Sequence, residues 1–152
     1  MTTPAIIALA AALTIPPVFL AVVTIRHARQ RAGARMEATM PDGVLREVCL
    51  CMGTTRSRQP RRGNGLIALG ERELQFSPYI GASFLLPYSS IEKVTIKRSF
   101  NGKYIARPLL CVRYTATDQS ASTAWCVPNP NSWANELLRR CPSQEPTACS
   151  PP

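Results

Sequence analysis

Near its start the sequence has a long apolar stretch, AIIALAAALTIPPVFLAVVTI at residues 5–25, that contains no charged side chain. A helix needs roughly 20 residues to cross the ~30 Å hydrocarbon core of a bilayer, and this stretch has that length. Its eleven Leu, Ile, Phe and Val residues favour insertion by roughly 3 to 7 kcal/mol. Pro16 and Pro17 remove helix hydrogen bonds at mid-span and predict a kink. We therefore expect one transmembrane helix over residues 5–25, after a short tip of residues 1–4.

Two other interpretations of the apolar stretch are a cleaved signal peptide and a buried helix of a soluble protein. A signal peptide starts with basic residues and ends at a small-residue cleavage site. Residues 1–4 carry no basic side chain, and the stretch is followed by RHARQR without such a site. The sequence favours an uncleaved anchor over both alternatives.

Basic residues follow the apolar stretch, and none precedes it. The four that follow most closely are Arg26, Arg29, Arg31 and Arg35. Because positively charged flanks stay on the cytoplasmic side, we predict a single-pass protein of the inner or plasma membrane. Its N-terminus would lie outside, and the domain that follows would be cytoplasmic. Residues 26–43 are predicted to form a basic juxtamembrane linker.

From Val44 onward the hydrophobic pattern has a period of two. Runs such as VLREVCLCM, RELQF and IEKVTIK alternate apolar and polar residues, and Gly, Pro, Asn and Ser separate them. This pattern predicts about seven antiparallel strands connected as a meander. Asn101 and Gly102 predict a tight hairpin, because both accept the positive φ values of a type I′ turn.

One helix is predicted after the strands, in NPNSWANELLRRC. Asn129 is a good N-cap and Pro130 suits the first helical turn. An apolar stripe at helical spacing follows, formed by Trp133, Ala134, Leu137, Leu138 and Cys141. We expect this helix to cover the open end of a small β structure, with Trp133 buried deepest. Pro142 ends the helix, and residues 142–152 are predicted to be a disordered tail.

Several of these segments resemble the GRAM and bacterial PH-like domains: GLIALGERELQFSP, FLLPYSSIEKVTI, LLCVRY and TAWCVPNPNSWANELLR. The resemblance covers roughly residues 44–140, and we assign residues 44–141 to the domain. It implies a mainly β, two-sheet barrel capped by the C-terminal amphipathic helix. Residues 87–90 would form the corner between the sheets. Ile91, Val94 and Ile96 would then re-enter the core.

The net charge of +9 favours anionic partners. TTRSRQPRRGN is predicted to join the first two strands, and in PH domains this loop lines the phosphate site. The resemblance assigns Arg56 and Arg58 to that role, and Arg61 and Arg62 add charge beside them. An anionic leaflet attracts each nearby Arg by ~1 kcal/mol. The alternative is a solvated charged loop that binds nothing.

Catalytic and metal sites find little support in the sequence. The single histidine, His27, lies beside the apolar stretch, so the β region has no Cys-His or Ser-His arrangement. Cys49 and Cys51 would share one face of a strand, which differs from the C-x-x-C turn of zinc sites. A zinc site would also need Cys111 and Cys126. We expect no enzyme activity, no cofactor and no metal. For the cysteines, free thiols are favoured, and disulfides remain an alternative.

These patterns together predict a non-enzymatic membrane protein whose domain binds anionic lipid head groups or a protein partner. One alternative is a protein-interaction adaptor that takes a peptide by strand addition and binds no lipid. Another is a thiol or metal-binding domain that uses Cys49 and Cys51. Nucleic acid is not expected as a partner, because the arginines concentrate near the apolar stretch and few aromatic residues interleave with them.

Overall fold

A computed structural model describes residues 3–39, 45–55, 60–116 and 119–141, and in the first range it describes the side chains of residues 20–38. The predicted tail at 142–152 lies outside the described residues. The elements in chain order are α1 (Thr3–Thr39), β1 (Leu45–Thr54), β2 (Gly63–Leu69), β3 (Glu73–Pro78), β4 (Phe84–Pro87), a 3-10 turn (Tyr88–Ser90), β5 (Ile91–Phe100), β6 (Lys103–Ala116), β7 (Gln119–Cys126) and α2 (Pro130–Arg140).

All seven strands belong to one antiparallel sheet in the order β4-β3-β2-β1-β7-β6-β5. The sheet is open, with β4 and β5 at its edges, so the predicted closed, two-sheet barrel is wrong. The predicted mainly β character is confirmed. Residues 87–90 connect the two edges of a single sheet and are not a corner between two sheets. Alternation along each strand predicts which residues share a face of the sheet, but it does not show whether the outermost strands meet.

The sheet curls strongly, because a turn of three residues joins its two edge strands. The curl places the ring of Phe84 on β4 at 5.8 Å from that of Tyr114 on β6, and the ring of Phe76 at 6.4 Å from that of Trp125. Side chains of every strand meet in one core on the inner face. Of the three residues expected to re-enter this core from β5, Ile91 is buried and Val94 packs against it, but Ile96 is 38% exposed.

The helix α2 covers the inner core as predicted. The side-chain oxygen of Asn129 accepts a hydrogen bond of 3.3 Å from the backbone N–H of Ser132, and Pro130 occupies the first turn. Trp133 and Leu137 are buried in the main core, and Leu138 is half-buried. The predicted type I′ hairpin is also confirmed, since the residues at 101 and 102 have φ values of 50° and 73°.

The long helix α1 packs on the outer face of the sheet, against β2 and β3. Ala32 and Met36 are its buried contacts, and Met36 packs on Ala68. The hydroxyl of Ser77 donates a hydrogen bond of 3.3 Å to the carbonyl oxygen of Ala32. Helix α1 therefore runs through the first 14 residues of the predicted linker, to residue 39.

The prediction of a transmembrane helix is contradicted. Within the part of the chain that the structure describes, no helix has the length and apolar character needed to cross a membrane. The side chains of residues 5–19, on which most of that prediction depended, lie outside the described set. The predicted orientation in a membrane stays a prediction.

Candidate anion-binding surface

The loop between β3 and β4, residues 79–83, is fixed on both of its sides. The backbone N–H of Tyr79 donates a hydrogen bond of 3.0 Å to the carbonyl oxygen of Asn64 at the start of β2. From α1, the guanidinium of Arg35 donates to the carbonyl oxygens of Pro78 and Gly81, at 2.6 and 2.5 Å. Held in this way, the loop presents Ile80 to solvent with 90% of the side chain exposed.

Two groups of arginines that are far apart in sequence meet around this loop. Arg61 and Arg62, both exposed, line a depression of about 370 Å³ together with Tyr79 and Ile80. On the other side, exposed Arg31 lines a wider depression between α1 and the same two loop residues. We call Arg31, Arg61, Arg62, Tyr79 and Ile80 the loop-tip surface.

The cations of the loop-tip surface keep their charge available to a ligand. The ion pairs among the described residues join Arg46 to Glu37 and Glu136 to two arginines of α2. None of them involves Arg31, Arg61 or Arg62. Three cations around an exposed isoleucine form a surface that attracts anions and can also bury one apolar side chain.

The structure separates the predicted basic residues into different roles. Arg61 and Arg62 lie in the loop-tip surface, whereas Arg56 and Arg58 are outside the described residues. Of the predicted juxtamembrane set, Arg31 joins the surface, and Arg26 and Arg29 are exposed elsewhere on α1. Arg35 is half-buried, and its guanidinium holds the loop. Its structural role is therefore to position the loop.

Sequence reasoning missed Tyr79 and Ile80. The available signal was SPYIGAS, in which a large apolar residue stands beside glycine between two predicted strands. Single apolar residues are common on protein surfaces, so this isoleucine became informative only once its position beside the arginines was known. The structure shows that it is not buried.

Cys49 and Cys51 share one face of β1, as predicted, and that face is the core. Burial in the core raises the pKa of the Cys49 thiol well above its ordinary value, and the neighbouring Cys51 raises it further. The sulfur of Cys51 accepts a hydrogen bond of 3.4 Å from the backbone N–H of Gly53. Among the described residues, no three His, Cys, Asp or Glu side chains are grouped closely enough to hold a metal ion.

Comparison with known proteins provides no family. No family model matches the chain, and no curated protein matches it. Among solved structures, the chain is similar to the C-terminal domain of an unknown protein from Leishmania infantum, with a TM-score of 0.49 and 11% sequence identity. That similarity covers 71% of this chain and 95% of the other. It is too low to carry structural or functional information.

Proposed function

We propose that this protein is a non-enzymatic binding protein that docks on anionic lipid head groups through the loop-tip surface. The observation that carries the proposal is the meeting of Arg31 with Arg61 and Arg62 around an exposed Ile80. Two basic segments that are about 30 residues apart in sequence converge on one protruding apolar side chain. The resemblance to GRAM and PH-like domains is consistent with this function.

The expected free energy of membrane binding is that of reversible docking. Each cation near an anionic surface gains ~1 kcal/mol, so three of them contribute about 3 kcal/mol. Moving Ile80 from water into the acyl boundary adds roughly 1.5 to 3 kcal/mol. One apolar contact and a basic patch are a common combination for membrane-surface attachment. The cytoplasmic leaflet is the anionic one in most membranes, and it is the surface we assign to the protein.

Vesicle cosedimentation of the purified full-length chain tests the proposal. Vesicles of phosphatidylcholine are compared with vesicles that also contain phosphatidylserine, and the readout is the ratio of bound protein. The ratio cancels any contribution from the apolar N-terminal residues. We expect it to exceed one clearly and to fall as salt screens the surface charge.

Paired variants locate the contact. Changing both Arg61 and Arg62 to Gln should lower the affinity for the anionic vesicles about 30-fold, since two contributions of ~1 kcal/mol are lost. Ile80→Ser should weaken binding while preserving its salt dependence. The matched control changes Arg98 and Lys103 to Gln. Both are exposed cations of the β5–β6 hairpin that lie outside the surface.

Equal binding to both kinds of vesicle, or the same loss in the control variant, would overturn the lipid proposal. The adaptor alternative would then be favoured. Its test is a search for peptides that add a strand at an edge of the sheet, β4 or β5.

A further inference from the structure

The outer face of β5, β6 and β7 carries a second set of cations, separate from the loop-tip surface. On β5, Lys93, Thr95 and Lys97 occupy every second position, so all three lie on this face. The cross-strand partner of Lys93 on β6 is Arg113, and the partner of Arg113 on β7 is Ser122. The sequence alone predicts no site at these residues.

Beyond Arg113, the hydroxyl groups of Ser122 and Thr55 lie along the same side of the groove. The backbone N–H of Ser122 donates to the hydroxyl oxygen of Thr55 at 2.9 Å, and the backbone N–H of Thr55 donates to the carbonyl oxygen of Ser122 at 2.9 Å. Because the Thr55 oxygen acts as an acceptor in this pair, its own proton remains available to a ligand. The Ser122 hydroxyl is a second donor beside Arg113.

The tip of the β5–β6 hairpin turns this face into a groove. Phe100, the last residue of β5, is buried in a cluster with Leu109, Cys111 and Ala124. Those three residues lie on the outer face, so the tip folds back over it. Asn101 and Gly102 form the turn at positive φ and contribute to the wall. The volume of this open groove is about 310 Å³, at the lower end of the range of small-molecule sites.

The described lining of the groove includes three cations and no carboxylate. Among the residues that the structure describes, Lys93, Lys97 and Arg113 form no ion pair. Glu92 lies at one end of the same face, but its oxygens accept hydrogen bonds from Thr115 at 2.6 Å and Ser120 at 2.9 Å. These hydrogen bonds, and the charge of Arg113, hold the pKa of Glu92 below its usual range.

We propose that this groove binds an anion that carries at least two phosphate groups. Lys93 and Arg113 mark one end, and Lys97 lies four residues farther along β5, which corresponds to ~13 Å at ~3.3 Å per residue. A single phosphate would require the side chains at the two ends to lean toward one point, whereas linked phosphates can contact each end with less displacement of those side chains. Arginine binds phosphate oxygens in a fork, and lysine and hydroxyl groups complete their coordination. The groove therefore suits an extended diphosphate or polyphosphate.

Titration calorimetry of the purified full-length chain tests the proposal, with inorganic tripolyphosphate and orthophosphate as probes. Tripolyphosphate is expected to bind at least about tenfold more tightly, because its linked phosphates give the lysine and arginine side chains at the two ends separate groups to contact. Lys97→Gln and Arg113→Gln should each weaken tripolyphosphate binding about tenfold or more, as expected for charge-assisted hydrogen bonds. Arg98→Gln and Lys103→Gln are the matched controls and should bind as the unchanged chain does.

The controls decide whether the effect is local. The proposal would be overturned if tripolyphosphate binding were undetectable or if orthophosphate bound with equal affinity. It would also be overturned if Lys97→Gln and Lys103→Gln weakened tripolyphosphate binding equally. Each variant is first checked for an unchanged unfolding midpoint. Since these side chains are exposed, we expect all four variants to fold.

Two further arms identify the source of the phosphates. Vesicles that contain a bisphosphorylated inositol lipid are titrated with the unchanged chain and with Lys97→Gln. A loss of vesicle binding in the variant assigns the groove to a lipid head group. Unchanged vesicle binding, together with weakened tripolyphosphate binding, assigns it to a free polyphosphorylated molecule. The Arg61 and Arg62 double variant should bind tripolyphosphate normally, so failure of one proposal is distinguishable from failure of the other.

Discussion

The guanidinium of Arg35 donates a hydrogen bond of 2.6 Å to the carbonyl oxygen of Pro78, and this contact fastens α1 to the end of β3. A second hydrogen bond from the same group reaches the carbonyl oxygen of Gly81. The two residues between these positions, Tyr79 and Ile80, both belong to the loop-tip surface. The arginine thus fixes the loop that presents the exposed apolar side chain, and it holds Arg31 on the same helix next to that loop.

We expect Arg35→Gln to lower the free energy of unfolding by about 1.5 to 3 kcal/mol, because hydrogen bonds made by a charged group are lost. Denaturant unfolding of the full-length chain measures this change. Arg29→Gln, at an exposed position on the same helix, should change the stability by less than about 0.5 kcal/mol. Equal midpoints for the unchanged chain and Arg35→Gln would show that these hydrogen bonds do not hold the helix.

A second link joins α2 to β1, where the indole N–H of Trp133 donates a hydrogen bond of 2.8 Å to the carboxylate of Glu47. Trp133→Phe should destabilise the protein by about 1 to 3 kcal/mol, since the part-buried carboxylate loses its donor. Glu47→Gln keeps an acceptor and should cost less. In the double-mutant cycle of Trp133→Phe with Glu47→Ala, which removes the acceptor, we expect a coupling energy of at least about 0.5 kcal/mol between the two positions. A coupling near zero would mean that the loss in Trp133→Phe comes from packing alone.

The features that local chemistry determines could be predicted from the sequence. Alternation predicted the strands, Asn101-Gly102 predicted the hairpin, and Asn129 with Pro130 predicted the start of α2. Each of these depends on residues within a few positions of one another. Closure of the sheet depends on how β4 and β5 are placed, and no local pattern determines that placement.

The loop-tip surface could not be predicted from the sequence for the same reason, because tertiary contacts bring its residues together. Arg31 and Arg61 are 30 residues apart in number, and they meet only because α1 docks on the outer face of the sheet. That docking uses Ala32 and Met36, two residues four positions apart in a helix whose remaining side chains gave no amphipathic signal. Half-buried Arg35 shows the same limit, because its place in a basic run does not indicate that its guanidinium holds the β3–β4 loop.

Close packing of β2 on β3 depends on glycine at position 65. A Cβ atom placed there would lie 2.5 Å from the carbonyl oxygen of Ser77 and 2.8 Å from the Cα of Pro78. Gly65→Ala should therefore cost about 1 to 3 kcal/mol or more, because backbone atoms must move apart. It should also displace the adjoining loop, which lowers the binding of anionic vesicles.

The matched control for this change is Gly63→Ala, in the same strand. A Cβ atom at position 63 would meet nothing within 4 Å. We expect its unfolding midpoint to match that of the unchanged chain or to rise slightly, because alanine restricts the unfolded chain. Thermal unfolding of the two variants side by side is the measurement. Equal midpoints would show that β2 and β3 do not approach as closely as the structure has them.

The buried thiols predict how stability depends on pH. Burial raises the pKa of Cys49, and also that of Cys51, above the ordinary value of 9.0, so the folded protein holds these protons more tightly than the unfolded chain does. The stabilisation is complete below about pH 9 and is lost as the pH rises, by up to ~1.4 kcal/mol per pH unit for each thiol. Denaturant unfolding at a series of pH values from about 7 to about 10 measures the slope.

Removing one thiol isolates its contribution to that slope. Cys49→Ala should reduce the loss of stability above about pH 9 by up to ~1.4 kcal/mol per pH unit, whatever the variant costs at neutral pH. Cys51→Ala, which removes the second buried thiol of β1, should reduce the loss of stability in the same direction. Burial also raises the pKa of Tyr88. This tyrosine is present in all three proteins, so its contribution to the slope cancels in the comparison. If the slope of Cys49→Ala equals that of the unchanged chain, the thiol reaches water in the folded state and cannot be part of the core.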